Sequence, residues 1–187
     1  MSLRYAILGL LTSGDYSGFE ITRRFESSVG YFWHARAQQI YPELGRLESD
    51  GLISGRTVRQ VGKPDKRVYA ITPTGLEELI GWITTPSPLT LTKDEFLVKV
   101  WSYGLIEPSA ALAALTAHRQ QQEERLAAYR AIEAHFEGAD PVAMPASFLG
   151  PYLTLRAGIR FVEGFLAWAD EAELVLRTRG AGHHGAT

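Results

Sequence analysis

Apolar residues recur at a helical period through the first fifty positions, switch briefly to a strand-like pattern, and then return to helical spacing. Leu3, Ile7, Leu10 and Leu11 share one helical face, with Ser2 placed to cap it and Gly14 to end it. Ser17-Gly-Phe-Glu20 has the spacing of a capping box, in which serine and glutamate satisfy each other's orphan amides. Ile21, Phe25 and Val29 follow on one face and predict a second helix, broken by Gly30 and the aromatic run Tyr31-Phe32-Trp33. A third helix carries Ile40, Leu44 and Leu47, with Gly51 where a left-handed C-terminal cap belongs. Pro42 suits that helix only if it begins near Gln38, leaving the proline within or just past the first turn. Residues 52–59 and 66–72 are short, β-branched and separated by Val61-Gly-Lys-Pro-Asp65, which predicts a hairpin. Thr72-Pro73 then opens a fourth helix striped by Leu76, Leu79, Ile80 and Ile83.

Thr85-Pro-Ser-Pro-Leu89 reads as a linker. Beyond it, Thr92-Lys-Asp-Glu95 is a second capping-box pattern, leading into Phe96, Leu97, Val100 and Trp101. Pro108 starts a long helix that runs to about Phe136, closed by Gly138-Ala-Asp-Pro141. Its middle, His118-Arg-Gln-Gln-Gln-Glu-Glu-Arg125, is polar for more than two turns, as expected of a solvated arm or a stretch supported by neighbours. His118 and His135 are expected to be solvated helix residues. A last helix runs from about Ser147 or Gly150 to Arg177. Phe148, Tyr152, Leu155, Ile159, Val162, Leu166 and Ala169 form a heptad seam along it, and Phe161, Phe165, Trp168 and Ala172 form a second stripe. One stripe suffices to dock a helix on its own domain, so two stripes predict that one faces a partner. The tail, from residue 179 to 187, reads as disordered, and its histidines carry no metal assignment.

Composition narrows the chemistry. The 187 residues include no cysteine, which removes disulfides, thiolate metal sites and thiol catalysis. Residues 1–84 carry ten Lys/Arg and nine Asp/Glu, and residues 85–187 carry nine and twelve, so any basic surface must arise by local clustering. No Gly-rich phosphate loop, metal-spaced His/Glu motif or nucleophile elbow is present, which argues against an enzyme and leaves no cofactor to assign. No apolar stretch approaches the length of a membrane span, and the amino-terminal run is periodic with no cleavage site, so it reads as a core helix of a cytoplasmic protein.

Three helices followed by a hairpin is the order of a winged helix-turn-helix, whose third helix enters the major groove. With Ile40, Leu44 and Leu47 inward, the third helix turns Gln38, Pro42, Gly45, Arg46 and Ser49 outward, flanked by Gln39 and Tyr41. Glutamine can bond adenine edges, arginine can fork to guanine or phosphate, and tyrosine can donate to phosphate or pack on a thymine methyl. Lys63, Lys66 and Arg67 cluster at the hairpin, where cations suit phosphate or minor-groove contact. The expected DNA-contacting set is therefore Gln38, Gln39, Tyr41, Arg46, Lys63, Lys66 and Arg67.

The segments Tyr5-Ala-Ile-Leu-Gly-Leu-Leu11, Ser17-Gly-Phe-Glu-Ile21, Gln39-Ile-Tyr-Pro-Glu-Leu-Gly-Arg-Leu-Glu-Ser-Asp-Gly-Leu-Ile53 and Arg67-Val-Tyr-Ala-Ile-Thr-Pro-Thr-Gly75 resemble the PadR family of transcriptional regulators over about residues 3–84. Lys93-Asp-Glu-Phe-Leu97 and Gly158-Ile-Arg-Phe-Val-Glu-Gly-Phe-Leu-Ala-Trp168 resemble, more loosely, the virulence-activator-alpha type of C-terminal helical domain. Gly45 departs from the basic residue of the family pattern. The resemblance implies a homodimeric regulator, usually a repressor and sometimes an activator, on a palindromic double-stranded operator. Some members respond to phenolic acids or other small aromatic effectors.

The expected architecture is mainly α. A winged helix-turn-helix DNA-binding domain (1–84) leads through a linker (85–91) to an all-helical dimerisation domain with long coiled-coil-like helices (92–178) and the tail (179–187). The expected dimerisation residues are Phe148, Tyr152, Leu155, Ile159, Phe161, Val162, Phe165, Leu166 and Trp168. Two other readings compete: a protein-interaction module on a winged scaffold, and a MarR-type regulator. The latter usually places helices on both sides of the winged unit, and here the amino-terminal extension is nearly absent.

Overall fold

The computed structural model describes residues 2–27, 36–60, 62, 64–87 and 93–183. The chain divides into two compact units, residues 1–89 and 90–187.

In the first unit, α1 (Ser2–Leu11), α2 (Gly18–Ser27) and α3 (Ala37–Ser49) precede the strands β2 (Ile53–Val58) and β3 (Lys66–Ile71), and α4 (Pro73–Ile83) closes the unit. A two-residue strand, β1 (Tyr16–Ser17), pairs antiparallel with β3 and was not signalled by the sequence pattern. The sheet order is β1-β3-β2, with Tyr16 opposite Tyr69 and Ile53 opposite Ile71. Period-2 alternation needs more than two residues to show, so only the tertiary pairing reveals β1.

The core of this unit is one cluster. Ile7, Leu8 and Leu11 from α1 meet Ile21 and Phe25 from α2, Ile40, Leu44 and Leu47 from α3, then Leu52, Ile53 and Leu79. The stripe expected on α3 is the one buried. Gly51, at φ +73°, provides the left-handed cap that ends α3 and turns the chain into β2. Helix α4 differs from expectation. Leu79 is buried and Trp82 stacks on Tyr5 with centroids 4.4 Å apart, while Leu76, Ile80 and Ile83 are exposed. A broad apolar arc on α4 thus meets α1 along only one edge. Val29 and the run 30–33 lie outside the described residues.

The second unit comprises α5 (Glu95–Trp101), α6 (Pro108–Glu133) and α7 (Ala146–His183), with 3-10 turns at Tyr103–Leu105 and Ala134–Phe136. The cap of α5 is Asp94, whose carboxylate accepts from the N–H groups of Phe96 and Leu97; Thr92, expected in that role, lies outside the described residues. Helix α7 continues six residues beyond the expected end at Arg177.

Helices α6 and α7 pack along their lengths. Ala111, Leu115 and Tyr129 are buried on α6, and Ile159, Val162 and Ala169 on α7. Gly158 lets the Tyr129 ring close on α7, since a Cβ there would sit 3.0 Å from it. The polar middle of α6 is supported by neighbours. Arg119 pairs with Asp170 and with Glu173 of α7, and Arg130 reaches Glu163 at 3.1 Å. Arg156 of α7 pairs back to Glu133. His118 is not the solvated residue expected: it stacks on Phe96 at 3.8 Å and meets Phe165 edge-on at 5.2 Å. His135 does stay exposed.

Leu44 lies at the centre of the first core with no solvent exposure. Leu44→Ala should lower unfolding free energy by about 2–5 kcal/mol, read from denaturant midpoints at unchanged m.

Candidate nucleic-acid interface

Burial of Ile40, Leu44 and Leu47 rolls the rest of α3 outward, and Gln38, Gln39, Tyr41, Pro42, Gly45, Arg46 and Ser49 are all exposed. Helix α3 begins at Ala37, one residue earlier than expected, so Pro42 is its sixth residue and cannot donate to the carbonyl of Gln38. Gln39 is engaged locally, because its Oε1 accepts from the N–H of Arg36 at 3.1 Å and so caps the helix start. Gln38 is left as the outward amide. Tyr41 lays its ring against Gly18 at the start of α2 and is still 51% exposed. Arg46 is three-quarters exposed and pairs at 3.1 Å with Glu43, one turn back. An exposed pair of this kind is worth little and yields readily to a phosphate or a base edge.

Of the three hairpin cations expected to contact DNA, two are described, and both are paired to the helices. Lys66 Nζ lies 3.3 Å from Glu20 of α2, and Arg67 Nη2 lies 2.6 Å from Glu48 of α3. Adjacent residues on a strand point to opposite faces, so β3 is tied on one side to each helix of the turn pair. Lys63 lies outside the described residues. Arg36 and Arg59 are exposed, make no ion pair with a described residue, and were missed by sequence reasoning. Their signal was only a cationic residue flanking the expected elements.

Glu20 completes the expected capping box. Its Oε2 accepts from Ser17 N–H at 2.8 Å and Ser17 Oγ at 2.6 Å, and Glu20 N–H donates to Ser17 Oγ at 3.3 Å. Those bonds to Ser17, then the one to Lys66, bring its pKa down from 4.5 to about 2. Among the described residues no group of acidic or histidine side chains is arranged to hold a metal, and no helix is long and apolar enough to cross a membrane.

A helix-turn-helix with its second helix bare on one side, followed by a cross-braced hairpin, defines a winged helix-turn-helix protein. Residues 7–80 match the transcriptional regulator PadR-like family, and residues 92–177 match the virulence activator alpha C-terminal family. The chain is 40% identical over 190 residues to the probable transcriptional regulator Rv1176c of Mycobacterium tuberculosis, covering 96% of this chain and all of that one. It is 33% identical over 170 residues to the negative transcriptional regulator PadR of Bacillus subtilis, covering 90% and 93%. The crystal structure of Bacillus subtilis PadR in complex with operator DNA aligns over 94% of this chain and 99% of that one, at a TM-score of 0.86 and 30% identity. The same regulator in complex with p-coumaric acid aligns at 0.82 and 29%, over 95% and 99%. The chain belongs to the PadR-like family: it is a transcriptional regulator, not an enzyme.

Because the folded pKa of Glu20 is depressed, its contribution to stability is complete above about pH 4.5 and is lost as pH falls towards 2. Glu20→Gln should therefore be less stable than the parent at pH 6, with the gap closing by pH 2. Thermal melts across that range check the sign.

Proposed function

We propose that the chain is a homodimeric, cytoplasmic repressor that reads a palindromic operator through α3 and the hairpin and releases it on binding a small aromatic acid. The observation that carries the DNA-binding part is the exposed face of α3. It is free of bulky aliphatic side chains, flat at Pro42 and Gly45, and edged by Gln38, Tyr41 and Arg46, which suits close approach to base edges. Repression and effector release rest on the relative named a negative regulator and crystallised with operator DNA and with p-coumaric acid.

The dimer rests on α7. Ile159, Val162 and Ala169 are already covered within the chain, and Tyr152, Leu155 and Leu166 are half-buried on the same side. Phe165 and Trp168 are half-buried beside Phe96. That leaves Leu153, Phe161 and Val175, each 56–81% exposed, on the side turned away from Ile159, with the exposed Leu149 and Leu174 along its edge. An apolar strip of that length is a liability in a monomer and suits a second copy. The interface in this proposal accordingly shifts to that strip; of the sequence-derived set Phe148 (53%) and Phe161 (81%) are exposed, and Phe161 alone lies on the strip, Phe148 falling on the Ile159 side near the start of α7.

The test is binding of full-length protein to DNA upstream of its own gene, measured by fluorescence anisotropy over a salt series. Contacts from Arg46, Arg59 and Lys63 of two protomers would give a log–log slope of about −5. Arg46→Ala should cost about 1–3 kcal/mol on the operator and less on a scrambled duplex. A salt-insensitive complex, or equal affinity for both duplexes, would remove the sequence-reading role. Addition of p-coumaric acid should release the operator.

Phe161→Glu places a charge in the outward strip without touching the α6–α7 packing. Sedimentation at micromolar concentration should show a dimer for the parent and a shift towards monomer for the variant, with an unchanged helical circular dichroism spectrum.

A further inference from the structure

One carboxylate oxygen joins three elements of the winged unit. Glu48 Oε1, near the end of α3, accepts from Arg67 Nη2 of β3 at 2.6 Å and from the N–H of Gly55 of β2 at 2.9 Å. β2 is an edge strand, so this bond takes an N–H that the ladder leaves outside. Arg67 reaches Glu48 through space that a side chain at position 55 would fill. A Cβ on Gly55 would lie 2.5 Å from Glu48 Oε1 and 2.6 Å from Arg67 Nε. Gly55 does not have a positive φ, so backbone conformation gives no reason for glycine there and the passage of Arg67 does. The guanidinium also lies 5.9 Å from the centroid of the Tyr69 ring, two residues along on the same face of β3.

We propose that Glu48 is a positioning residue for DNA reading. With Arg67 and Gly55 it forms a strut that holds the hairpin at a fixed angle to α3, so that both meet the duplex in one register. The proposal rests on the DNA-binding reading above and deepens it. Arg67 then acts through Glu48, and the phosphate contacts of the hairpin fall to its other cations. The strut makes a prediction whose sign is opposite to that of simple electrostatics. A carboxylate at the edge of a DNA-binding face repels phosphates, so by charge alone its removal should tighten binding. Removal of a strut should weaken binding to the specific site.

The experiment compares full-length wild type with Glu48→Gln, Arg67→Gln, the double variant and Gly55→Ala. Each is titrated against a labelled duplex carrying the DNA upstream of its own gene and against a scrambled duplex of equal length, with a salt series and a thermal melt for each protein. Glu48→Gln should lose about ten-fold on the operator, the worth of one base contact, and be unchanged or tighter on the scrambled duplex. Arg67→Gln should show the same selective loss with the wild-type salt slope, and the double variant should be no worse than either single one. Gly55→Ala alters no charge and should lose operator affinity in the same way. If Gly55→Ala fails to fold, the Glu48→Gln pair of titrations still decides.

Three results overturn the strut. In the first, Glu48→Gln binds the operator as tightly as wild type or more tightly. In the second, Arg67→Gln weakens both duplexes equally and flattens the slope by about two units, which makes Arg67 a phosphate ligand in each protomer. In the third, all variants lose stability and weaken on both duplexes together, which makes the pair a brace of the fold alone. Wild type that fails to distinguish operator from scrambled DNA instead overturns the DNA-reading function, and that outcome is visible before any variant is compared.

Discussion

The burial of Ile40, Leu44 and Leu47 against α1 and α2 is the constraint on which the winged unit depends. Each is fully buried, and together they fix the rotation of α3 about its axis. A helix has only one way to hide three residues spaced four and three apart, so the opposite face is determined as soon as the core forms. Everything that the exposed side of α3 can do, including the bare patch at Pro42 and Gly45 and the placement of Arg46, follows from that rotation.

The hairpin is positioned by a different kind of force. Its apolar contribution to the core is small: Ile53 and Val68 are buried, and most other strand residues are partly open. Beyond its pairing with β1, directed polar contacts tie it to the rest of the unit: Lys66 to Glu20, Arg67 to Glu48 and Arg56 to Asp15. These pairs are partly exposed, so each is weak as a source of stability, but a directed bond constrains an angle in a way that non-directional burial does not. The capping carboxylate of α2 thus has two roles: one oxygen holds Ser17 and the other meets Lys66.

In the second unit, long-range ion pairs do for α6 and α7 what the hairpin pairs do for the wing. Arg119, Arg130 and Arg156 reach across to acidic residues at three heights along the helices. The apolar seam alone would permit a slip by a turn, since Ala, Leu and Ile recur along it. Charges at fixed heights remove that freedom, and the Tyr129–Gly158 contact pins it sterically.

What the sequence by itself determined is whatever a short stretch of chain can specify: the helix periods, the Ser17–Glu20 cap, the Gly51 stop, the hairpin and the outward face of α3. These are local signals, because helix faces and caps depend on residues three or four apart. The tertiary structure decided what depends on partners far along the chain. It showed that Lys66 and Arg67 are already paired and that β1 adds a third strand. It placed His118 against Phe96 and Phe165, turned Leu76, Ile80 and Ile83 outward, and covered Ile159 and Val162 within the chain. In each case the chemistry of the residue was legible and its partner was not, because a reach across 19 positions, as from Glu48 to Arg67, or 46, as from Glu20 to Lys66, is set by packing and not by pattern.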